Sequence, residues 1–196
     1  MQVGLEYIGE VDEYATLEVL LLAQKSLKAI SDQYIMDLSH MGFVAGLMEE
    51  VNLPYAQQKA VLSCISEKNA HGIRAICLEA GLAEEMTQKL EALASLYGDL
   101  ESTLEKAKVL CCNEKMEHAV AELENILRCL KIGGNEQNVN LDFSIVNDMD
   151  YYTGIIFQGF INGVPCDILN GGRYDNLLLK MGKDADAIGF AVYLDL

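Results

Sequence analysis

Arginine is nearly missing from this 196-residue chain: Arg74, Arg128 and Arg173 are the only three. Chemistry that clamps a polyphosphate between several guanidinium forks therefore cannot be run by these residues alone. Positive charge in general is short, with 14 Lys+Arg against 30 Asp+Glu and a formal charge of −16. That balance argues against a broad phosphate-binding face, because nucleic-acid binders gather Lys and Arg on one surface. No window reaches 18 uninterrupted apolar residues, and no basic-then-apolar leader opens the chain. Neither a membrane span nor secretion is expected. Close metal-ligand pairs are lacking too. Cys64, Cys77, Cys111, Cys112, Cys129 and Cys166 show no C-x-x-C spacing, and His40, His71 and His118 stand far apart. Structural metal sites announce themselves by such pairs, so neither a metal nor another cofactor is expected. Most of these thiols fall at apolar positions of helical stretches, where Cys acts as a small hydrophobe, and they point to a reducing cytoplasm.

What is present is enough to fold. Hydrophobic residues make up 51% of the chain and charged residues 22%, which suits one domain with a real core, perhaps carrying an insertion. The first ten residues alternate as a strand, with Val3, Leu5 and Tyr7 on one face and Gln2, Gly4 and Glu6 on the other. A strand at the initiator Met reads as the second arm of a hairpin without its first. Apolar residues at 17, 20, 21, 27 and 30 predict a helix over Glu13 to Ile30. Tyr34, Met36 and Leu38 alternate as a second strand, Gln33 to Ser39, followed by a short helix from about Phe43 to Val51. Pro54 then opens another helix in its first turn.

From Pro54 to Leu130 the pattern is helical throughout, four or five helices with no strand signal. Met86, Leu90, Leu93 and Tyr97 make one stripe closed by Gly98. Met116, Val120, Leu123, Leu127 and Leu130 make another closed by Gly133-Gly134. The remainder is β-rich. Val139 to Ile145 alternates, and a further strand runs from Thr153 to Ile161. Asn162-Gly163 predicts a two-residue hairpin turn, with Val164 to Leu169 returning antiparallel. Asn170-Gly171-Gly172 reads as a break, Tyr174 to Met181 as a helix, and Ala187 to Leu194 as a last buried strand. The expected architecture is α+β, an antiparallel sheet with flanking helices.

Three segments carry a resemblance when taken in order. They are Gln2-Val3-Gly4-Leu5-Glu6, then Asp150-Tyr151-Tyr152-Thr153-Gly154-Ile155-Ile156-Phe157, then Gly171-Gly172-Arg173-Tyr174-Asp175, with Ile188-Gly189-Phe190-Ala191 behind them. In this order the chain resembles the class II catalytic core of histidyl-tRNA synthetases. It equally resembles their non-synthetase relative, the regulatory subunit of ATP phosphoribosyltransferase. The resemblance implies a class II synthetase-type sheet formed by 1–53 and 131–196, partial because motif 1 is absent, with 54–130 as a helical insertion. It further implies that Gln2 and Glu6 hold the α-ammonium of histidine and that Tyr151, Tyr152 and Tyr174 surround its imidazole. Asp150, Gly171, Gly172 and Arg173 would support them. The chemistry is coherent on its own terms. A carboxylate facing a cation makes a charge-assisted hydrogen bond, and tyrosine offers a ring face plus a hydroxyl. In an arbitrary protein the same residues would be ordinary strand, turn and helix-start positions.

The departures from the synthetase pattern decide what the resemblance implies for function. Adenylation brings two anions together, and synthetases neutralise the developing charge with Arg. The motif 2 Arg would lie ahead of Met1. Where the histidine-specific motif begins with Arg-Gly this chain has Asn147-Asp148, and where motif 3 ends in Arg it has Leu196. The expectation is a catalytically inactive regulatory subunit in histidine biosynthesis. Its partner would be the catalytic ATP phosphoribosyltransferase subunit, with L-histidine as ligand, a homo-oligomeric state, and no tRNA or membrane. The competing expectation is a fragment of a histidyl-tRNA synthetase catalytic domain, and a third is a ligand-free relic.

Overall fold

The computed structural model describes residues 1–146 and 151–194. Seven strands among them form one sheet. β1 (Gln2–Gly9), β2 (Tyr34–His40), β3 (Tyr97–Asp99), β4 (Val139–Asp142), β5 (Ile155–Ile161), β6 (Leu169–Arg173) and β7 (Asp186–Tyr193) lie in the order β1-β7-β6-β5-β2-β4-β3. All neighbours are antiparallel except β2 and β4. The helices are α1 (Glu13–Ile30), α2 (Met41–Glu50), α3 (Tyr55–Ser66), α4 (Ala70–Glu79), α5 (Glu84–Ala94), α6 (Leu100–Leu110), α7 (Glu114–Gly133) and α8 (Asp175–Lys180). None among the described residues is long and apolar enough to cross a membrane.

Alternation divides the sheet into two unlike faces. Met36, Leu38, Leu141, Phe157, Leu169, Ile188, Phe190 and Val192 turn to one side and join the apolar core with Leu20 and Leu27 of α1 and Leu123 and Leu130 of α7. The register sets Glu6 beside Gly189, Gly189 beside Gly172, and Gly172 beside Ile156 on the opposite face. Helix ends follow their capping chemistry. Asp12 accepts from Ala15 N–H at the start of α1, Asn113 accepts from Met116 N–H at the start of α7, and Gly134 closes α7 in the left-handed region at φ 64°.

β1 pairs along its full length with β7, and its outer edge, where a first hairpin arm would lie, is open. Four sequence expectations are corrected. Tyr97 and Gly98 do not finish a helix, because α5 ends at Ala94 and Tyr97–Asp99 adds a strand to β4. β4 stops at Asp142 rather than running to Ile145, since the Asp142 carboxylate turns the chain by accepting from Ser144 N–H at 2.9 Å. The return strand starts at Leu169, not Val164; Pro165 has no N–H to give the ladder. Asn170-Gly171-Gly172 does not break β6 but lies inside it. A Cβ at Gly171 would stand 2.6 Å from the Gly189 oxygen and as close to the Phe157 ring, so glycine here permits close packing rather than a turn.

Candidate ligand-binding site

The face turned away from the core gathers most of the residues singled out above. Glu6 projects from β1 over Gly189, and the Glu6 carboxylate lies where a side chain at 189 would begin. Its Oε2 accepts a hydrogen bond from the Tyr174 hydroxyl. Tyr151 stacks on Tyr174 with ring centroids 5.6 Å apart and planes 23° apart. Tyr151 also meets Tyr152 edge-on at 4.6 Å and 73°. Gly172 makes room for the Tyr152 ring, since a Cβ there would be 2.7 Å from Cδ1 and Cε1. Tyr174 is buried, Tyr152 half-buried and Tyr151 open to solvent. The cluster is therefore graded from a fixed floor to an accessible rim.

Gln2 shares this face but not the cluster. It stands four residues along β1 from Glu6, about 13 Å at ordinary strand rise, opposite Tyr193. Asn147, Asp148, Asp150 and Leu196 lie outside the described residues. Arg173 supports the site from behind. Its side chain points to the helix face, where Nε meets Asp175 Oδ2 at 2.7 Å, Nη2 meets Asp186 Oδ2 at 2.9 Å and Nη1 donates to the Val11 carbonyl at 3.1 Å. Asp175 also accepts from Thr153 Oγ1 at 3.2 Å and from Ala187 N–H at 3.1 Å. These bonds pin the backbone on both sides of Tyr174. Residue type alone does not tie Gly189, Asp175 and Asp186 to the tyrosines. Only the strand order β1-β7-β6 brings them together.

Electrostatics follows from this packing. Burial lifts the Glu6 carboxyl above its ordinary range. Burial, and then the Glu6 charge, lifts the Tyr151 hydroxyl. The Tyr152 hydroxyl is pushed up to about 12 by burial first, then by Tyr151, Glu6 and Tyr193. Tyr151 and Tyr152 are thus neutral donors at physiological pH, beside a carboxylate, and of the three rings only that of Tyr151 is open to solvent. Such a site suits a flat ligand that carries hydrogen-bond donors or positive charge. Among the described residues no group of three His, Cys, Asp or Glu is placed to hold a metal.

A mostly antiparallel sheet with α1 and α7 on one face, and this cluster with the short helix α8 on the other, defines a class II aminoacyl-tRNA synthetase core. A solved Bacillus halodurans chain, described as an ATP phosphoribosyltransferase regulatory subunit/histidyl-tRNA synthetase, superposes with a TM-score of 0.88 at 32% identity. The match covers 97% of this chain and 50% of that one. The family model for histidyl-tRNA synthetase matches residues 1–196, and the chain belongs to that family. The ATP phosphoribosyltransferase regulatory subunit of Oceanobacillus iheyensis is 32% identical over 195 residues, 99% of this chain and 48% of its own length. The chain thus spans about half the length of the curated relatives it matches. The ATP phosphoribosyl transferase (HisG:HisZ) complex of Thermotoga maritima shares the fold at a TM-score of 0.78 and 19% identity, covering 99% of this chain and 66% of that one.

Proposed function

We propose that this chain acts in a non-catalytic regulatory subunit of ATP phosphoribosyltransferase, in histidine biosynthesis, and offers L-histidine a pocket at Glu6, Tyr151, Tyr152 and Tyr174. The observation that carries the reading is the disposition of the three arginines. Arg74 is tied to Glu84 and Glu91, Arg128 sits on α7 against Asn125, and Arg173 faces the helices. Among the described residues no guanidinium serves the tyrosine face, where amino-acid activation would need one to neutralise meeting anions. The names of relatives at 32–33% identity support the same subunit, and the described Thermotoga maritima complex supports a catalytic phosphoribosyltransferase partner. In this reading 1–53 and 131–196 form the synthetase-like core and 54–130 a helical insertion that lends β3 to the sheet. The open edge of β1 supports assembly with a further chain, a homo-oligomer included, and six free thiols support a cytoplasmic setting.

The test has two arms. L-histidine should raise the melting temperature of the chain more than L-alanine at equal concentration, and Glu6→Gln should weaken binding about tenfold or more, the worth of one charge-assisted hydrogen bond. No shift beyond that of alanine at about 20 mM would remove the pocket from the reading, since even millimolar affinity would register there. Histidine-dependent exchange of pyrophosphate into ATP should be absent, and exchange above a buffer control would overturn the non-catalytic assignment.

A further inference from the structure

A polar cleft lies on the outer face of the sheet, where β2 and β5 meet the end of α3. β7, β6 and β5 separate it from Glu6, so it is distinct from the tyrosine cluster. Its floor is Asp37, the β2 residue set beside Gln158 of β5 and Asn140 of β4. Alternation turns Asp37 away from the core that holds Met36 and Leu38, yet it is only 8% exposed. One carboxylate oxygen, Oδ1, accepts from Asn140 Nδ2 at 3.0 Å. The other, Oδ2, has no donor among the described residues and is not sealed from solvent, so it opens into the cleft. Carboxylates buried to this degree ordinarily have both oxygens met. Burial, ahead of the Asp142 charge, lifts the Asp37 carboxyl despite the Asn140 bond and Lys68. A cation on Oδ2 would offset both effects.

The neighbouring groups define which cation. Asp142, 6% exposed, is fully engaged: Oδ1 accepts from the Ser144 N–H and hydroxyl, and Oδ2 takes Lys68 Nζ at 2.9 Å. Lys68 also lies over the Tyr97 ring at 4.4 Å, so its ammonium is spent on Asp142 rather than Asp37. Two carboxylates against one ammonium leave a single negative charge among the described residues of the cleft. The Gln158 carboxamide makes no hydrogen bond among those residues. The Ser66 and Ser144 hydroxyls donate to the Ser63 carbonyl and to Asp142, which leaves their oxygens able to accept. Ile145, Val146 and Phe160 add half-buried apolar wall. A metal ion matches poorly, since among the described residues no group of three His, Cys, Asp or Glu is placed to hold one. An amino acid matches poorly too, because its carboxylate would enter beside two others. We propose that this cleft binds a small primary amine as its ammonium ion, the N–H groups on Asp37 Oδ2, Gln158 and a serine hydroxyl and the carbon stem along Ile145, Val146 and Phe160. The site is separate from the tyrosine face, and its failure would leave the histidine reading untouched.

A chemical-shift titration of the full chain with n-butylammonium tests this, with 1-butanol and tetramethylammonium as controls. Butanol keeps the stem without the charge, and tetramethylammonium keeps the charge without an N–H. Butylammonium should bind with millimolar affinity, in keeping with its few atoms, and at least about tenfold more tightly than either control. Asp37→Asn preserves the side-chain shape and the acceptor for Asn140. It should erase the tenfold preference while leaving any melting-temperature response to L-histidine unchanged. Should Asp37→Asn fail to fold, Gln158→Leu takes its place and should weaken the amine severalfold. Absence of binding at about 50 mM amine, or affinity indifferent to the variant, would overturn the proposal. Butanol binding as tightly as the amine would overturn it by reducing the site to an apolar crevice. Tetramethylammonium binding as tightly would do so by reducing it to the general pull of an acidic chain on cations.

Discussion

Gly189→Ala is the sharpest test of how the tyrosine face is built. A Cβ at 189 would clash with Glu6 Oε2 and the Leu5 carbonyl oxygen, and would approach Glu6 Cδ to 2.7 Å. The two obstacles respond differently. The Glu6 carboxylate is the far end of a flexible side chain and can swing away, at the expense of its hydrogen bond from Tyr174. A charge-assisted bond is worth about 1.5–3 kcal/mol when buried, and on an exposed strand nearer 1 kcal/mol. The Leu5 oxygen is backbone, and relieving it means moving β1 away from β7. No strand lies beyond β1, so it can give, which sets this part toward the lower end of the usual ~1–3 kcal/mol for overpacking. The sum is about 2–3 kcal/mol. Urea unfolding followed by circular dichroism reads it, since the chain has no Trp to report by fluorescence. A cycle with Glu6→Ala separates the two parts. If the carboxylate rests on Gly189, the double variant should cost about 1 kcal/mol less than the sum of the singles. A Gly189→Ala cost within about 0.5 kcal/mol of zero, or a strictly additive cycle, would refute the geometry.

Two further predictions concern pH. The Tyr152 hydroxyl is raised to about 12 in the folded chain from an ordinary value of 10.0, so its neutral form is favoured by folding. Its contribution is present below pH 10.0 and is lost as pH climbs toward 12. The urea midpoint should therefore fall less between about pH 9 and 11.5 in Tyr152→Phe than in the parent, and equal falls would contradict the burial of this hydroxyl. On the helix side His40 is 3% exposed, caps α2 by accepting from Gly42 N–H at 3.1 Å, and meets Glu122 at 3.0 Å. Burial alone would raise the Glu122 carboxyl, but the His40 hydrogen bond, together with nearby positive charge that includes Arg173 and His118, outweighs it and holds it below 4.5. His40→Ala should cost about 2–4 kcal/mol at neutral pH, from a lost cap and a half-buried carboxylate left alone. Because a depressed carboxyl stabilises above its unfolded value, that cost should shrink as pH falls below 4.5; a cost unchanged at about pH 3.5 would count against the pair.

Periodicity alone was enough for the frame. The split of Gln2, Gly4 and Glu6 from Val3, Leu5 and Tyr7 survives in the structure, because alternation along a strand depends only on local geometry. The α1 and α7 stripes survive for the same reason, with Leu20, Leu27, Leu123 and Leu130 all in the core. What was misread depends on partners far away in sequence. Nothing in Tyr97-Gly98-Asp99 announces a strand; β4 makes it one. Gly171 and Gly172 read as a break because glycine is a poor strand former in isolation. The rings of Phe157 and Tyr152 reverse that reading, since only glycine leaves them space.

The site itself was legible only as an ordered set of motifs, never from spacing. Glu6 and Tyr174 are 168 positions apart, and the stripe they share exists because β7 intervenes between β1 and β6. The same geometry explains a division of labour inside the Gly171-Gly172-Arg173-Tyr174-Asp175 run that the residue types alone do not reveal. Arg173 ends a strand, so its side chain goes to the face opposite Gly172, where it binds Asp175, Asp186 and the Val11 carbonyl. Those contacts join the starts of α1, α8 and β7. Tyr174, one residue on, leaves the strand with its N–H on the Ala187 carbonyl at 2.8 Å and its hydroxyl on Glu6. An arginine next to Tyr174 in the same run invites a ligand-binding role from sequence. In this fold its three polar contacts are internal, and it acts by fixing the backbone from which Tyr174 reaches Glu6 on the opposite face.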